Sequence, residues 1–387
     1  MSTLRRLLPV YLIVIFRSVA WTLSVSGPVL PLYVRSLGVD VMEWGVLAMA
    51  QGVGLILFEG LWGTLSDLVD RRRLLISALF GMALVFPFYT VRGFVPYFFI
   101  FQFAIGALAV AIGPTARALV ADITPLESRG TYMGLWFAAF MFGNMLGPFL
   151  GTYISEVMGY KYAFYASSMV LILGSVVCAF ALRDLPRKEP QGERLNVGVV
   201  QGLKALFSIP SVALILLITV ATFTGMPSIG SFLPIYASEE IGMSAVSIGG
   251  LVALSAGMQL LVNPLLGRVS DRLGQRRLMG VGLAAVAIMQ FSFTRVTTPL
   301  ELSLVTLALS ASMAVMTLGV TMLSKAVPRE LSGMAMGVYG SCEDLGFIIG
   351  PILYGFVWNA FSPSLIFLVG TGATVVALLL LLMIRGD

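Results

Sequence analysis

Four ionisable residues stand inside long apolar stretches: Arg17, Glu59, Glu343 and Asp344. In a membrane crossing, a charge at the centre costs about 2.5–3.5 kcal/mol on insertion scales, and it persists where it faces a partner or a wet cavity. The chemistry such groups can do there is proton exchange, or capture of an oppositely charged ligand. Arg17 and Glu59 are expected at similar depth on neighbouring crossings. That suits a static salt bridge, and equally a switch in which separating the pair lets the carboxylate take up a proton. Glu343 and Asp344 are adjacent, so they lie ~100° apart around a helix, and both cannot face lipid. The chain has no histidine, which removes imidazole relays and ligands. Its two cysteines, Cys178 and Cys342, fall in different stretches and suggest neither a disulfide framework nor a metal site. No metal and no catalytic residues are expected.

The elements that must position these groups are membrane helices. Hydrophobic residues make up 58% of the 387 and charged residues 11%, against about 25% charged in soluble domains. Apolar runs long enough to cross a ~30 Å hydrocarbon core recur along the whole chain. Twelve are read, at roughly 8–34, 44–66, 74–91, 95–119, 131–155, 161–182, 209–237, 245–267, 277–294, 299–323, 332–357 and 362–384. None alternates apolar and polar residues with period two, which excludes barrel strands and leaves helices. The first run is too long for a signal-peptide core and is expected to stay in the protein.

Orientation follows from the basic residues. With both termini inside, only Arg35, Arg92, Lys161 and Arg295 of the 24 Lys and Arg fall in outer loops, apart from Arg17 within a crossing. Both termini are therefore expected in the cytoplasm. The net charge of +5 reports insertion and contact with the inner leaflet; no solvent-exposed basic domain exists to bind nucleic acid. The longest polar stretch, 183–194, carries two prolines and mixed charges and reads as a linker. The expected organisation is a six-helix bundle over 1–182, a linker over 183–208 and a second bundle over 209–387.

The two bundles repeat each other at an offset of about 203 residues. Leu30, Pro31 and Tyr33 recur as Leu233, Pro234 and Tyr236. Gly130, Met133, Gly134, Gly143, Gly147 and Pro148 recur as Gly333, Met336, Gly337, Gly346, Gly350 and Pro351. Gly63, Asp67, Arg71 and Arg72 are echoed by Gly267, Asp271, Arg272, Gly274 and Arg276. A duplicated bundle inside a membrane implies two bodies that rock around a central site.

These last residues resemble the loop signature of the major facilitator superfamily, G-x-x-x-D-[RK]-x-G-[RK]-[RK]. The first copy departs at Leu68 and Asp70, the second at Gln275. The resemblance covers nearly the whole chain and is to the twelve-span drug/proton antiporter type. It implies an all-α membrane protein of two pseudo-twofold-related bundles. It also implies that Asp67 helps latch the inner side, with Arg117 as its partner. Gly143, Gly147, Pro148 and Gly151 match the family's antiporter motif, G-x-x-x-G-P-x-x-G. Small residues at this spacing make a flat packing face, and proline bends the helix. The partial copy at Gly346, Gly350 and Pro351 suits a general packing role as well. Proton-coupled members carry an arginine four residues before a glycine in span four; here Gln102 precedes Gly106.

In the family, spans one, four, seven and ten line the substrate cavity. Here they offer Trp21, Tyr33, Gln102, Phe223, Met226 and Met313. Methionines and aromatics suit varied lipophilic cargo, whereas a sugar site would need several convergent carboxylates and amides. The expected function is export of small hydrophobic or cationic compounds from a prokaryotic cell across its inner membrane, by a monomer without cofactor. Its energy would come from a proton gradient, since no G-x-x-x-x-G-K-[ST] loop is present for ATP. Two alternatives stay open: an importer or facilitator of a sugar or organic acid, and a non-transporting sensor or scaffold.

Overall fold

Prolines decide where the first crossing breaks. In the computed structural model, which describes residues 3–91, 96–125, 128–182, 199–328 and 331–384, helix α1 (Thr3–Ala20) widens into a π turn over Trp21–Val25 and resumes as α2 (Val29–Ser36). Pro28 and Pro31 have no N–H with which to continue the i→i−4 ladder, so the backbone leaves it there. Helices α3 (Val41–Leu68) and α4 (Arg71–Val85) follow, the latter tightening into a 3-10 turn over Phe86–Thr90. The first half closes with α5 (Pro96–Ile123), α6 (Arg129–Val157) and α7 (Tyr160–Ala181).

After the short α8 (Val199–Phe207) the series starts again. The seventh crossing is α9 (Pro210–Gly225), a π turn over Ser228–Phe232 and α10 (Leu233–Glu239), broken around Pro227 and Pro234 as the first is around its own prolines. Then come α11 (Ala245–Leu273) and α12 (Gln275–Ser292), α13 (Pro299–Ser312) and α14 (Thr317–Ala326) joined by a 3-10 turn over Met313–Met316, α15 (Ser332–Ala360) and α16 (Leu365–Met383). The tenth crossing is thus broken, whereas its repeat partner α5 runs unbroken through Pro114.

Among the described residues, 11 segments are long and apolar enough to cross a membrane. The twelfth helix of the repeat is α15. Its 29 residues reach about 43 Å, and Glu343 and Asp344 hold its mean hydropathy below that of the others. The protein is an all-α membrane protein of repeat-related helix bundles.

Packing divides the chain into two units. One comprises Met1–Asp40, Val46–Gln191 and Met243–Gly257; the other comprises Val41–Gly45, Gly192–Gly242 and Met258–Asp387. Within the first, α1 packs on α6 and α7, and α4 on α5 and α7. Within the second, α9 packs on α15 and α16, and α12 on α16 and α13. The pairings are the same at the repeat offset. The short segments that cross over also follow the repeat. Gly249 of the first unit meets the Pro148 carbonyl and Thr152, and Gly45 of the second meets the Pro351 carbonyl and Gly355.

Each unit has its own core. In the first, Tyr89 stacks on Phe164 at 5.2 Å and Phe98 at 5.7 Å. In the second, Leu216, Leu283, Val315, Leu323 and Leu381 cluster around Tyr339, and Phe293 stacks on Phe367 at 4.8 Å.

Candidate functional site

The loop that carries the repeated signature is tied down in the same way in both units. Arg72 donates to the Ala179 carbonyl at the end of α7, and Arg276 donates to the Leu382 carbonyl at the end of α16, 3.0 Å away. Carbonyls of a last helical turn lack intrahelical donors and sit at the negative end of the dipole, so a guanidinium both caps and neutralises them. Arg71 forms an ion pair with Asp122 at the end of α5, while Arg272 is exposed.

Asp70, which stands where the signature has glycine, is the N-cap of α4. Its carboxylate accepts the Arg72 backbone N–H at 3.0 Å, the arrangement favoured at a helix start. Gly274 makes the equivalent turn with φ of 82°, a conformation that side chains resist. One turn is thus secured by side-chain capping and its copy by backbone freedom. The side chains of Gly63, Asp67, Gly267 and Asp271 lie outside the described residues, and so does the pairing expected of Asp67. Arg117, its expected partner, has its guanidinium 5.5 Å from the centre of the Trp136 ring and lies within electrostatic range of Glu59.

The glycines of α6 face the first crossing. A Cβ at Gly143 would strike Ser18, at Gly147 Thr22 and the Val19 carbonyl, and at Gly151 the Leu23 carbonyl. Only hydrogen at these positions lets α6 lie against α1 and its π turn. Pro148 is buried beside them. In the second unit Gly346 and Gly350 meet Phe223, Thr224 and Pro227 in the same manner. The position of Gly151, however, is taken by Tyr354, whose hydroxyl donates to the Thr224 carbonyl at 2.7 Å.

Arg17 and Glu59 do not pair. Among the described residues no carboxylate lies within ion-pair distance of Arg17. Trp21, one turn along, holds the guanidinium 4.6 Å from its ring centre, and Phe140 of α6 stands 6.0 Å away. Glu59 lies within electrostatic range of Arg117, and its Oε2 is buried without a hydrogen-bond partner among the described residues. The static salt bridge is therefore replaced by cation–π contact, which geometry one turn apart on a helix favours. In the second unit Glu343 and Asp344 are both half-buried. Glu343 lies within electrostatic range of Tyr339 and Cys342.

Two residues expected to line a cavity are core residues. Gln102 is 2% exposed, and its carbonyl oxygen accepts the Tyr89 hydroxyl at 3.1 Å. Tyr33 is 4% exposed and packs between Phe98, Tyr160 and Phe164 at ring distances of 6.3, 5.5 and 5.4 Å. Trp21 is also largely covered, at 8%. Phe223, Met226 and Met313 are half-buried, with Phe223 edge-on to Phe347 at 5.7 Å.

Sequence reasoning missed the stacked pair Trp136 and Phe140, 5.7 Å apart with 4° between planes. Their i, i+4 spacing opposite Arg17 was the available signal. It also missed a buried amide in the second unit. Gln290 accepts the Thr374 hydroxyl at 2.7 Å and donates to the Gly225 carbonyl at 3.4 Å. No group of three His, Cys, Asp or Glu side chains gathers among the described residues.

The sequence profile of the Major Facilitator Superfamily matches residues 10–258 and 215–387. The chain belongs to the Major Facilitator Superfamily. It is an integral membrane transporter of this superfamily with a small-molecule substrate, and not an enzyme. Among sequences it is 27% identical to the Multidrug resistance protein MdtG of Dickeya zeae over 89% of this chain and 86% of the relative. It is 28% identical to MdtG of Klebsiella pneumoniae over 90% and 86%. Among solved structures it is similar to the nucleoside transporter NupG, with a TM-score of 0.81 and 14% identity over 98% of this chain and 100% of the other. A D-xylose-proton symporter gives a TM-score of 0.78 with 17% identity, over 100% and 97%. These structural likenesses concern the superfamily fold.

Proposed function

We propose that this superfamily member exports small hydrophobic or cationic compounds from the cell by alternating access, in exchange for protons. The observation that carries the reading is the pair Glu343 and Asp344 inside α15. They are two adjacent carboxylates, half-buried in a membrane helix, and their repeat counterparts are Phe140 and Met141. An ionisable pair kept in one repeat and absent from the other marks a working site more than a folding requirement. Relatives named for multidrug resistance support export as the direction. The three-glycine face of α6 supports it too, because a tightly packed bent helix resists leak.

In this reading the proton gradient is the energy source, and no cofactor takes part. Glu343, Asp344 and Glu59 carry protons, and the loops at Asp67 and Asp271 latch the inner side. The protein works as a monomer with both termini in the cytoplasm. The test is flux in liposomes with an imposed pH gradient, run over cationic dyes, sugars and neutral lipophiles. Dye movement that follows the gradient and collapses with a protonophore supports the reading. Dye movement indifferent to the gradient, or gradient-driven movement of sugars alone, overturns it.

A further inference from the structure

Arg17 stands near the middle of the first crossing. It lies about 16 Å along the helix from the start of the apolar span at Arg6. Arginine is charged at every accessible pH and offers five donors in a planar fork. None of these donors bonds to the protein: no hydrogen bond and no ion pair involves the side chain among the described residues. Its Nε is buried without a partner. Cation–π contact with Trp21 and Phe140 supplies a modest attraction. That is less than the cost of the charge at this depth.

A second, independent shortfall lies one ring away. Trp136 stacks on Phe140, and its Nε1–H is also buried with no acceptor. Indole N–H and guanidinium are donor-only groups. Two donor-only groups without acceptors, both beside the Phe140 ring, make a site short of acceptors. The nearest carboxylate on this row is Glu59, at the other end, beyond Trp136 and within electrostatic range of Arg117. The row reads Glu59, Arg117, Trp136, Phe140, Arg17, Trp21, with a carboxylate and a guanidinium at its first end and a guanidinium alone at its last.

We infer that Arg17 is the seat of an acidic group on the transported compound, and that the cargo includes aromatic or lipophilic organic anions. The guanidinium fork takes a carboxylate or a similar planar acid by two parallel bonds. Trp21, Phe140 and Trp136 supply the apolar and ring contacts for the remainder of the molecule. The inference rests on the transporter reading and adds a substrate class to it. The repeat shows how local the device is: the counterpart of Arg17 is Val220, and that of Phe140 is Glu343. Neither charge has a charged counterpart in the other repeat.

The test is equilibrium binding to the whole protein in nanodiscs, read by tryptophan fluorescence and calorimetry. The probes are 2-naphthoate, the neutral 2-naphthamide and 2-naphthylmethylammonium. Wild type is expected to bind naphthoate at least tenfold more tightly than naphthamide. Arg17→Gln should remove that preference while leaving naphthamide binding within twofold, and Arg17→Lys should keep part of it. Trp136→Phe should weaken naphthoate alone. Equal affinity of wild type for the acid and the amide, a result that needs no variant, overturns the inference. So does an unchanged preference in folded Arg17→Gln. Repeating the wild-type measurement in discs of phosphatidylglycerol and of phosphatidylcholine tests a lipid phosphate as the occupant. Loss of naphthoate binding in phosphatidylglycerol alone assigns the site to lipid and overturns the cargo reading. Binding needs no gradient and no direction, so its failure is distinct from failure of proton-driven export.

Discussion

The Tyr354 hydroxyl donates to the Thr224 carbonyl at 2.7 Å, and Tyr354 occupies the place that Gly151 holds in the first repeat. Thr224 lies where the seventh crossing is about to leave the α ladder for its π turn, so its carbonyl needs a donor from elsewhere. The side chain is fully buried. Tyr354→Phe should therefore cost about 1–3 kcal/mol, the penalty of an unsatisfied buried acceptor. Thermal unfolding of the purified protein in detergent checks it. A midpoint equal to wild type would mean the bond contributes nothing.

The glycine face of α6 predicts a sharp positional contrast. At Gly151 any side chain overlaps the Leu23 backbone carbonyl, and backbone cannot swing away as a flexible side chain could. Gly151→Ala should cost more than the ~1–3 kcal/mol typical of core overpacking. At Gly134, on the same helix, nothing lies within 4 Å of the added carbon. Gly134→Ala should be neutral, or stabilising by up to about 1 kcal/mol from helix propensity. The same unfolding assay reads both, and similar losses at the two positions would refute the assigned packing.

The two capping arginines should differ in weight although their roles match. Arg72 is half-buried, and the Cys178 thiol lies 3.9 Å from its carbonyl oxygen. The bond of Arg276 is exposed. Arg276→Ala should cost less than ~1 kcal/mol, as exposed charged contacts do. Arg72→Ala should cost about 1.5–3 kcal/mol, the range for a bond to a charged group. A reversed order would show that exposure does not set their worth.

Transport variants should separate coupling from folding. Glu343→Gln and Asp344→Asn keep shape and remove the titrating proton, so the variant at the carrier should lose gradient-driven flux at least tenfold while downhill exchange of substrate persists. Glu59→Gln should lose less, since Arg117 lies within electrostatic range of it. Gradient-driven and exchange rates measured in the same liposomes check this. Full coupling in all three variants would move the proton pathway elsewhere.

Thiol chemistry offers a test of burial. Cys178 is buried and Cys342 is only half-buried. A small maleimide should label Cys342 in the folded protein and leave Cys178 unlabelled until denaturation, as mass spectrometry of each peptide would show. Early labelling of Cys178 would contradict the packing of α7 on α4.

The composition, the recurring apolar runs and the repeat offset determined, from sequence alone, that the chain is a duplicated membrane bundle. They are long-range patterns that no local conformation can disguise. The glycine spacing of α6 was legible too, because close helix approach leaves no alternative residue type. Asp70 was visible only as a departure from the loop signature, and tertiary structure showed it to be a cap.

What the fold alone decided is which way each side chain points. Tyr33 lies beyond the π turn and proline break of the first crossing, and such a turn rotates everything after it relative to a straight helix. It therefore sits in the core and not at a cavity wall. Gln102 is drawn inward by the Tyr89 hydroxyl. Arg17 meets rings and not Glu59, because a partner one turn along its own helix is held in place without cost, whereas one on another helix depends on the rotation of both. Spacing places residues on a helix, but the neighbouring helices decide which face is inside.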